Sequence, residues 1–452
     1  MESRKKITGK KLTGSLGYMV TLGVIAKFFI DISVQLFNPF LTIIAAGMGV
    51  SVVTMGRLVS VKNLMGLSAP LLGSLADKIG YRAVMRLGLL LAGTGFILLS
   101  TGAGLPFIVA GMVVSGIGQA GYAPMIQAYL SAELPYEKRS RYLGILEYSW
   151  ALAGIIGLFL IGYLIEWFNW RVPLYILATG FFGMNILFLS LPRVEQKQKS
   201  NVYGGEGSRI SLFIREGFSR LTNKGGKPSP SDNSSVKDKS AASDNSPASF
   251  EGLTQKVRTF FYLGKYRKSA WAAISINFFN FFAATHVMII HGGWLENEYG
   301  LGAGQLGTVA LLLGFTDWGA SILVSIYGDK IGKKRSVLIG TGGMALFFAL
   351  MPLLNVSLPL ALIALSLPRF FFEFAIVSNF PLISEQYPEE RGKVMAFSFS
   401  IGLIGPVVSG ITGPAMYLRW GVWGLGPVSF ASAMVSILLL LLCVKEEPHA
   451  RR

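Results

Sequence analysis

One cysteine (Cys443) in 452 residues leaves no disulfide framework and no thiol metal site. Charged residues make up only 14% of the chain and hydrophobic ones 52%, too lopsided for an ordinary soluble domain. The chain contains no H-E-x-x-H, no G-x-S-x-G and no nucleotide-binding P-loop. Those gaps argue against a zinc protease, a serine hydrolase and direct use of ATP. Histidine is scarce as well, with only His286 and His291 inside hydrophobic runs, so a membrane enzyme has little to work with. Acidic residues are outnumbered 24 to 41 by lysine and arginine, giving a net charge of +17. No metal ligand set and no cofactor motif stands out.

What fills the chain instead is apolar sequence. Runs long enough to cross about 30 Å of hydrocarbon as helices recur along nearly its whole length. The expected spans in the first half are 16–38, 51–75, 83–101, 105–131, 142–165 and 172–191. In the second half they are 270–291, 303–327, 335–354, 358–384, 393–416 and 421–444. The runs are continuous rather than alternating, which excludes a β-barrel. The fold class is therefore an all-α integral membrane protein with 12 transmembrane helices in two pseudo-symmetric six-helix bundles. The first run is too long for a signal peptide and has no A-x-A-like site after it, so it is read as retained.

The organisation that follows is an N-terminal segment 1–15, a bundle 16–191, a partly disordered linker 192–268, a second bundle 269–444 and a tail 445–452. Between Lys224 and Ser249 the linker is Ser, Gly, Pro, Asn, Asp and Lys, too polar to bury a core. Two amphipathic pieces flank it, around Ile210–Leu221 and Leu253–Phe261, and can lie on a membrane surface.

The excess positive charge is not spread evenly. Arg4, Lys5, Lys6, Lys10 and Lys11 precede the first span. Alternate loops carry Lys78, Arg82 and Arg86; Lys138, Arg139 and Arg141; Lys330, Lys333, Lys334 and Arg335; and Arg391 with Lys393. The other loops hold little beyond Arg171, Arg419, Glu296 and Glu298. This alternation is the positive-inside pattern, and it puts both termini in the cytoplasm. The basicity reads as topology and contact with the lipid bilayer, not nucleic-acid binding.

Two loops about 250 residues apart nearly repeat each other, as expected of an internally duplicated membrane unit. Gly73-Ser-Leu-Ala-Asp77-Lys78-Ile79-Gly80-Tyr81-Arg82 recurs as Gly328-Asp329-Lys330-Ile331-Gly332-Lys333-Lys334-Arg335. Glu133-Leu-Pro135-Tyr-Glu137-Lys138-Arg139 is answered by Glu385-Gln-Tyr-Pro388-Glu-Glu390-Arg391. Duplicated membrane halves point to a transporter with its site between them.

The first loop resembles the G-x-L-A-D-R-x-G-R-R/K motif of the major facilitator superfamily of secondary transporters. Gly73, Leu75, Ala76, Asp77, Gly80 and Arg82 fit it, while Lys78 and Tyr81 depart from it. The resemblance implies that Asp77 and Arg82, with Asp329 and Arg335 as the second copy, form a cytoplasmic gating latch around Gly80 and Gly332. A plain turn with topogenic charges is the alternative. Finer motifs fit less well. Met112 stands where many proton antiporters have an arginine, and Leu158 stands where their helix-five proline falls. The better match to that glycine-proline pattern is Gly405-Pro406-Val-Val-Ser-Gly410, in the eleventh span.

Ionisable residues at membrane depth are costly and are candidate site residues by default. Lys27 and Asp31 lie one turn apart on the first span. Asp31, with Gln35, Asn38 and Pro39 beyond it, resembles the acidic position of drug-exporting members. It can bind a proton or a cationic substrate, or serve only as a structural partner of Lys27. Lys62 in the second span and Asp317 in the eighth stand near corresponding depths and can pair across the halves; Asp317, with no basic residue within one turn, is the best single candidate of the second half. Arg369 and Glu373 are again one turn apart, which suggests a local salt bridge or an anion-holding group. Glu147 is expected near the cytoplasmic mouth. Asn277, Asn280, Thr285 and His286 fall on a polar face of the seventh span that can line a cavity. The aromatics nearby read mainly as packing or lipid contacts.

Function follows as a set of expectations. Foremost is proton-coupled export of a small organic or drug-like molecule by alternating access, with the chain a monomer and protons a second passenger. Uptake of a metabolite by symport or uniport is the alternative, and a non-transporting receptor or scaffold a remote one. The expected location is the plasma (inner) membrane.

Overall fold

The computed structural model describes residues 9–133, 136–192 and 261–446. Residues 193–260 of the expected linker lie outside the described residues, as do Arg4, Lys5 and Lys6. Met1–Val194 and Leu263–Arg452 group into one compact unit.

Eleven helices among the described residues are long and apolar enough to cross a membrane. They are α1 (Leu16–Gln35), α2 (Val52–Ala76), α3 (Tyr81–Thr101), α4 (Leu105–Glu133), α5 (Gly144–Trp167) and α6 (Arg171–Ser190), then α7 (Arg267–Tyr299), α8 (Ala303–Gly328), α9 (Lys333–Leu354), α10 (Leu358–Ser384) and α11 (Pro388–Gly424). Where a twelfth span is expected stands a shorter apolar helix, α12 (Gly426–Leu442), of 17 residues. A 3₁₀ turn over Gly421–Gly424 takes up the residues that would have lengthened it. At 1.5 Å per residue α12 reaches only about 25 Å, the lower edge of a bilayer's hydrocarbon core.

The first span of each half is broken by non-helical backbone. The helix of α1 ends at Gln35 and resumes as Phe37–Gly47, with Phe40 at φ −114°, ψ 18° inside the second piece. Pro39 supplies the cause, because it has no N–H for the ladder and its ring crowds the preceding turn. In α7 the helix runs from Arg267 to Met288, breaks at Ile290 (φ −122°, ψ 1°) and restarts at His291. In α5, Ala153–Leu158 forms a π-helical turn. Such turns are frequent at functional sites.

The duplicated loops fold alike. Gly80 sits at φ 91°, ψ 147° and Gly332 at φ 92°, ψ 145°, each closing one helix and opening the next. That region of backbone space is essentially reserved for glycine. The repeated glycine therefore reflects one repeated turn.

The halves meet through close backbone approach. Gly56 lies against the carbonyl of Gly410, Gly162 against Ala303 and Gly307, and Gly154 against Gly314. Small residues at such contacts let helices approach without driving out lipid-soluble bulk. Ser60 donates across the same boundary to the Val407 carbonyl at 2.7 Å. Nearer the far ends, Thr42 donates to Glu296, and a Cβ on Gly292 would fall 1.9 Å from the Pro39 carbonyl oxygen. These contacts lie from mid-depth outward, on the side away from the Gly80 and Gly332 turns.

Candidate functional site

In the first half, α1 and α5 build a buried charge cluster. Lys27 and Asp31 are each 5% exposed, and the ammonium donates to Asp31 Oδ2 at 2.9 Å. Ser149 Oγ donates to the same carboxylate oxygen at 2.5 Å and accepts from Lys27 at 3.2 Å. Glu147 joins from the same turn of α5, with Oε2 3.2 Å from Lys27 Nζ. Its side chain is 53% exposed, and Gln127 of α4 donates to its other oxygen at 2.8 Å. The helix-one pair is thus real, and it is threaded to solvent through Glu147. Ser149 was missed by sequence reasoning, because a lone serine in an apolar run carries no signal until α5 is set beside α1.

Lys62 does not reach Asp317. Its ammonium donates to the Ser33 carbonyl at 2.9 Å and lies 4.9 Å from the centroid of the Phe37 ring. Gln119 donates to Ser33 Oγ at 3.0 Å and holds that part of α1 from the α4 side. The expected cross-half pair is replaced by a contact within the first half, because the break in α1 brings Ser33 and Phe37 within the reach of a lysine on α2.

In the second half the arginine also chooses another partner. Arg369 forks onto Asp317, with Nε to Oδ1 at 2.7 Å and Nη2 to Oδ2 at 2.5 Å. Two parallel charge-assisted bonds match one edge of the planar guanidinium to both carboxylate oxygens. Glu373, the expected local partner, instead accepts from Ser321 Oγ of α8 at 3.1 Å. The remaining Arg369 nitrogen, Nη1, lies 3.2 Å from Met288 Sδ, a weak acceptor.

Between the clusters lies a small gap of about 20 Å³, lined from the first half by Gln35, Asn38, Pro39, Gly154 and Leu158. His291, Ala310, Leu313 and Arg369 close it from the second half. It sits where the breaks of α1 and α7 and the π-helical turn of α5 come together.

The polar face of α7 turns inward instead of lining that gap. Asn277 donates to Ser398, Asn379 donates to Asn277 at 2.7 Å, and Asn280 donates to Thr341 at 3.2 Å. Thr285 lies 2.8 Å from Ser409 Oγ, while His286 is fully buried, with Thr412 Oγ1 at 3.1 Å from Nδ1 and the Gly424 carbonyl at 3.3 Å from Nε2. These groups tie α7 to α9, α10 and α11. Buried amides seek partners, and these find theirs on neighbouring helices of the same half.

At the duplicated turns, the side chains of Asp77 and Asp329 lie outside the described residues. Gly73 is half-buried beside the Met125 side chain. Arg82 donates through Nη1 to the carbonyls of Leu189, at 3.3 Å, and Leu191. Lys334, two residues after Gly332 as Arg82 is after Gly80, donates to the Val444 carbonyl at 2.6 Å. Each half therefore ties its turn to the chain leaving its sixth helix. Arg335, named as the latch residue of the second copy, is exposed, and the tie comes from Lys334.

Comparison with known proteins agrees with this architecture. The uncharacterised MFS-type transporter YwfA of Bacillus subtilis (strain 168) is 22% identical over 433 residues, covering 95% of this chain and 92% of its own. Among solved structures, a D-xylose–proton symporter superposes with a TM-score of 0.70 at 15% identity, over 97% of this chain and 100% of its own. A peptide transporter of the POT type gives 0.70 at 11% identity, over 94% of this chain and 93% of its own. At those identities the likeness is one of fold. The family model described as Major Facilitator Superfamily matches residues 23–231 and 272–452. With most of its length under that match, and with two halves meeting around buried charge, the chain belongs to the Major Facilitator Superfamily of membrane transporters.

Proposed function

We propose that this transporter exports a small organic, drug-like compound in exchange for protons, by alternating access between its two halves. One observation carries the reading: buried acidic groups stand on membrane-spanning helices of both halves, Asp31 one turn from Gln35 and Asp317 bonded to Arg369, and Gln35 and Arg369 both line the gap between the halves. Asp31 is held by Lys27 and Ser149, while Asp317 is held by Arg369 with Glu373 nearby. A carboxylate held in this way can exchange its cation for a proton or a cationic cargo. In this reading Asp31 and Asp317 are the coupling or substrate groups, Lys27, Arg369 and Glu373 set their charge, and Lys62 braces α1. The gate consists of the Gly73–Arg82 and Gly328–Arg335 turns, with Asp77 and Asp329 in the latch.

With the basic loops cytoplasmic, the contacts between the halves fall on the outer side, as an inward-facing state requires. We place the chain in the plasma (inner) membrane as a monomer, with both termini and the 192–268 linker inside. Uptake by symport or uniport is the second reading, favoured by Met112, which is fully buried where antiporters of this type carry an arginine.

The test uses inside-out vesicles carrying an acid-inside proton gradient, a pH-sensitive dye and a chemically diverse compound panel. Compound-dependent collapse of the gradient, seen only with this protein, is the expected result. Silence from correctly inserted protein, together with labelled-metabolite entry in right-side-out vesicles, would replace export with uptake.

A further inference from the structure

His291 has one ring nitrogen with nothing to bind. It is 2% exposed, its Nδ1 lies 2.7 Å from the Met288 carbonyl, and its Nε2 has no hydrogen-bond partner among the described residues. A carbonyl oxygen can only accept, so Nδ1 carries the proton and Nε2 presents a lone pair. That lone pair belongs to a residue lining the gap between the halves, which Arg369, Gln35 and Asn38 also line. Gln35 is already engaged through its amide nitrogen, which donates to the Trp150 carbonyl at 3.2 Å. Among the described residues, Arg369 Nη1 meets the Met288 thioether alone. A buried acceptor and a poorly used charged donor thus share one cavity.

The position adds a second, independent argument. Interrupted helices at corresponding places in two repeats mark the binding region of duplicated transporters. Here the interruptions are Leu36–Phe40 in α1 and Ile289–Ile290 in α7, and Gly292 rests directly on the Pro39 carbonyl. His291 is the first residue past the α7 break, so any separation of the two breaks opens the gap at its ring.

We propose that this gap is a site for a hydrogen-bond donor, with His291 Nε2 as its acceptor. One water fills it in the closed arrangement, since about 20 Å³ suits a single molecule with polar partners. When the halves part, an O–H or N–H of the cargo takes the water's place, which makes His291 a specificity-determining residue. The cargo role rests on the transport reading above; the acceptor site does not.

The chain's three histidines allow a direct test by ¹⁵N-histidine NMR of the full-length protein in nanodiscs, with His286→Gln and His449→Gln assigning the signals. The expected His291 Nε2 signal is of the unprotonated type, displaced by hydrogen bonding and showing a cross-peak to water. A protonated Nε2, or an unprotonated one without a donor, overturns the site. In flux assays on whatever compounds the protein carries, His291→Phe should lower kcat/KM roughly three- to tenfold for those with an O–H or N–H donor. Analogues with that group methylated should be unaffected, and His291→Gln, which keeps an acceptor near the Nε2 position, should restore the loss. Equal loss for both compound classes would refute the specificity role. A protein that moves nothing would defeat the transport reading alone, while the NMR result judges the site by itself.

Discussion

Asp317→Asn is the most informative single change. The Arg369–Asp317 fork is buried, with side chains 16% and 7% exposed, so solvent screens it little. Removing one partner of such a pair leaves an uncompensated charge and typically costs about 3–5 kcal/mol. An asparagine can still accept one bond from Nε or Nη2, which keeps the loss nearer the lower figure. Arg369→Met alone leaves a buried carboxylate and should cost a similar amount. The double variant removes both charges together and should lose no more than about 1–2 kcal/mol. The assay is unfolding of the purified protein in a mild detergent, followed by its tryptophan fluorescence for all four members of the cycle. Under the coupling hypothesis, Asp317→Asn also inserts normally yet loses proton-coupled flux. Additive losses across the cycle would show that the fork is not the energetic unit described here. Wild-type flux with unchanged proton dependence would remove Asp317 from the mechanism.

Ser149→Ala should cost about 1.5–3 kcal/mol, the value of a buried hydrogen bond to a charged group. The same unfolding assay checks it, and a change below half a kilocalorie would mean that water takes over the serine's role. Gly80→Ala and Gly332→Ala should each destabilise by about 1–3 kcal/mol through backbone strain, with the Glu446 side chain also close to a Cβ at Gly332. Gly80 has open space around it, so a loss there cannot be blamed on a clash. Gly292→Ala should disfavour the arrangement seen here, because its methyl group meets the Pro39 carbonyl. In a Cys443→Ser background, a reporter cysteine at Asn38 should then react faster with a membrane-impermeant thiol reagent added outside. An unchanged rate would show that the Gly292 contact does not hold the halves together.

The sequence exposes the parts of this protein that are local or repeated. Hydrophobic length gives the spans, and the recurrence of Gly80 as Gly332 gives the turns, because one backbone geometry demands one residue twice. The Lys27–Asp31 pair was legible for the same reason, since helical spacing alone puts the two side chains on one face. Partner choice across helices was not legible. Arg369 has an acid one turn away in Glu373 but bonds Asp317, 52 positions earlier, because fork geometry outweighs proximity along the chain. Lys62 turns to a carbonyl beside a helix break that no periodicity announces. The polar face of α7 looked like a cavity wall because amphipathic spacing cannot tell a pathway from a bundle interior. His291 was passed over because its role depends on a missing partner, and only coordinates show that.

The two halves keep their resemblance in one place and lose it in another, and the pattern of loss has a physical reading. Where they agree, the structure is chassis: the Gly80 and Gly332 turns, and the ties from Arg82 to Leu191 and from Lys334 to Val444. If the halves rock about a common axis as proposed, both copies need the same turn and the same tie. At the boundary between the halves the two copies differ. The first half offers an ammonium–carboxylate pair with a serine; the second offers a guanidinium fork, a further carboxylate and an unpartnered imidazole nitrogen. A cargo bound between the halves would present a different side to each, which gives the copies a reason to diverge there. On this argument, exchanging Gly80 and Gly332 turn segments between the halves should preserve flux. Replacing the first half's carboxylate, Asp31→Asn, should abolish it without preventing insertion. If the turn exchange proved the more damaging of the two, the division between shared chassis and divergent site would be wrong.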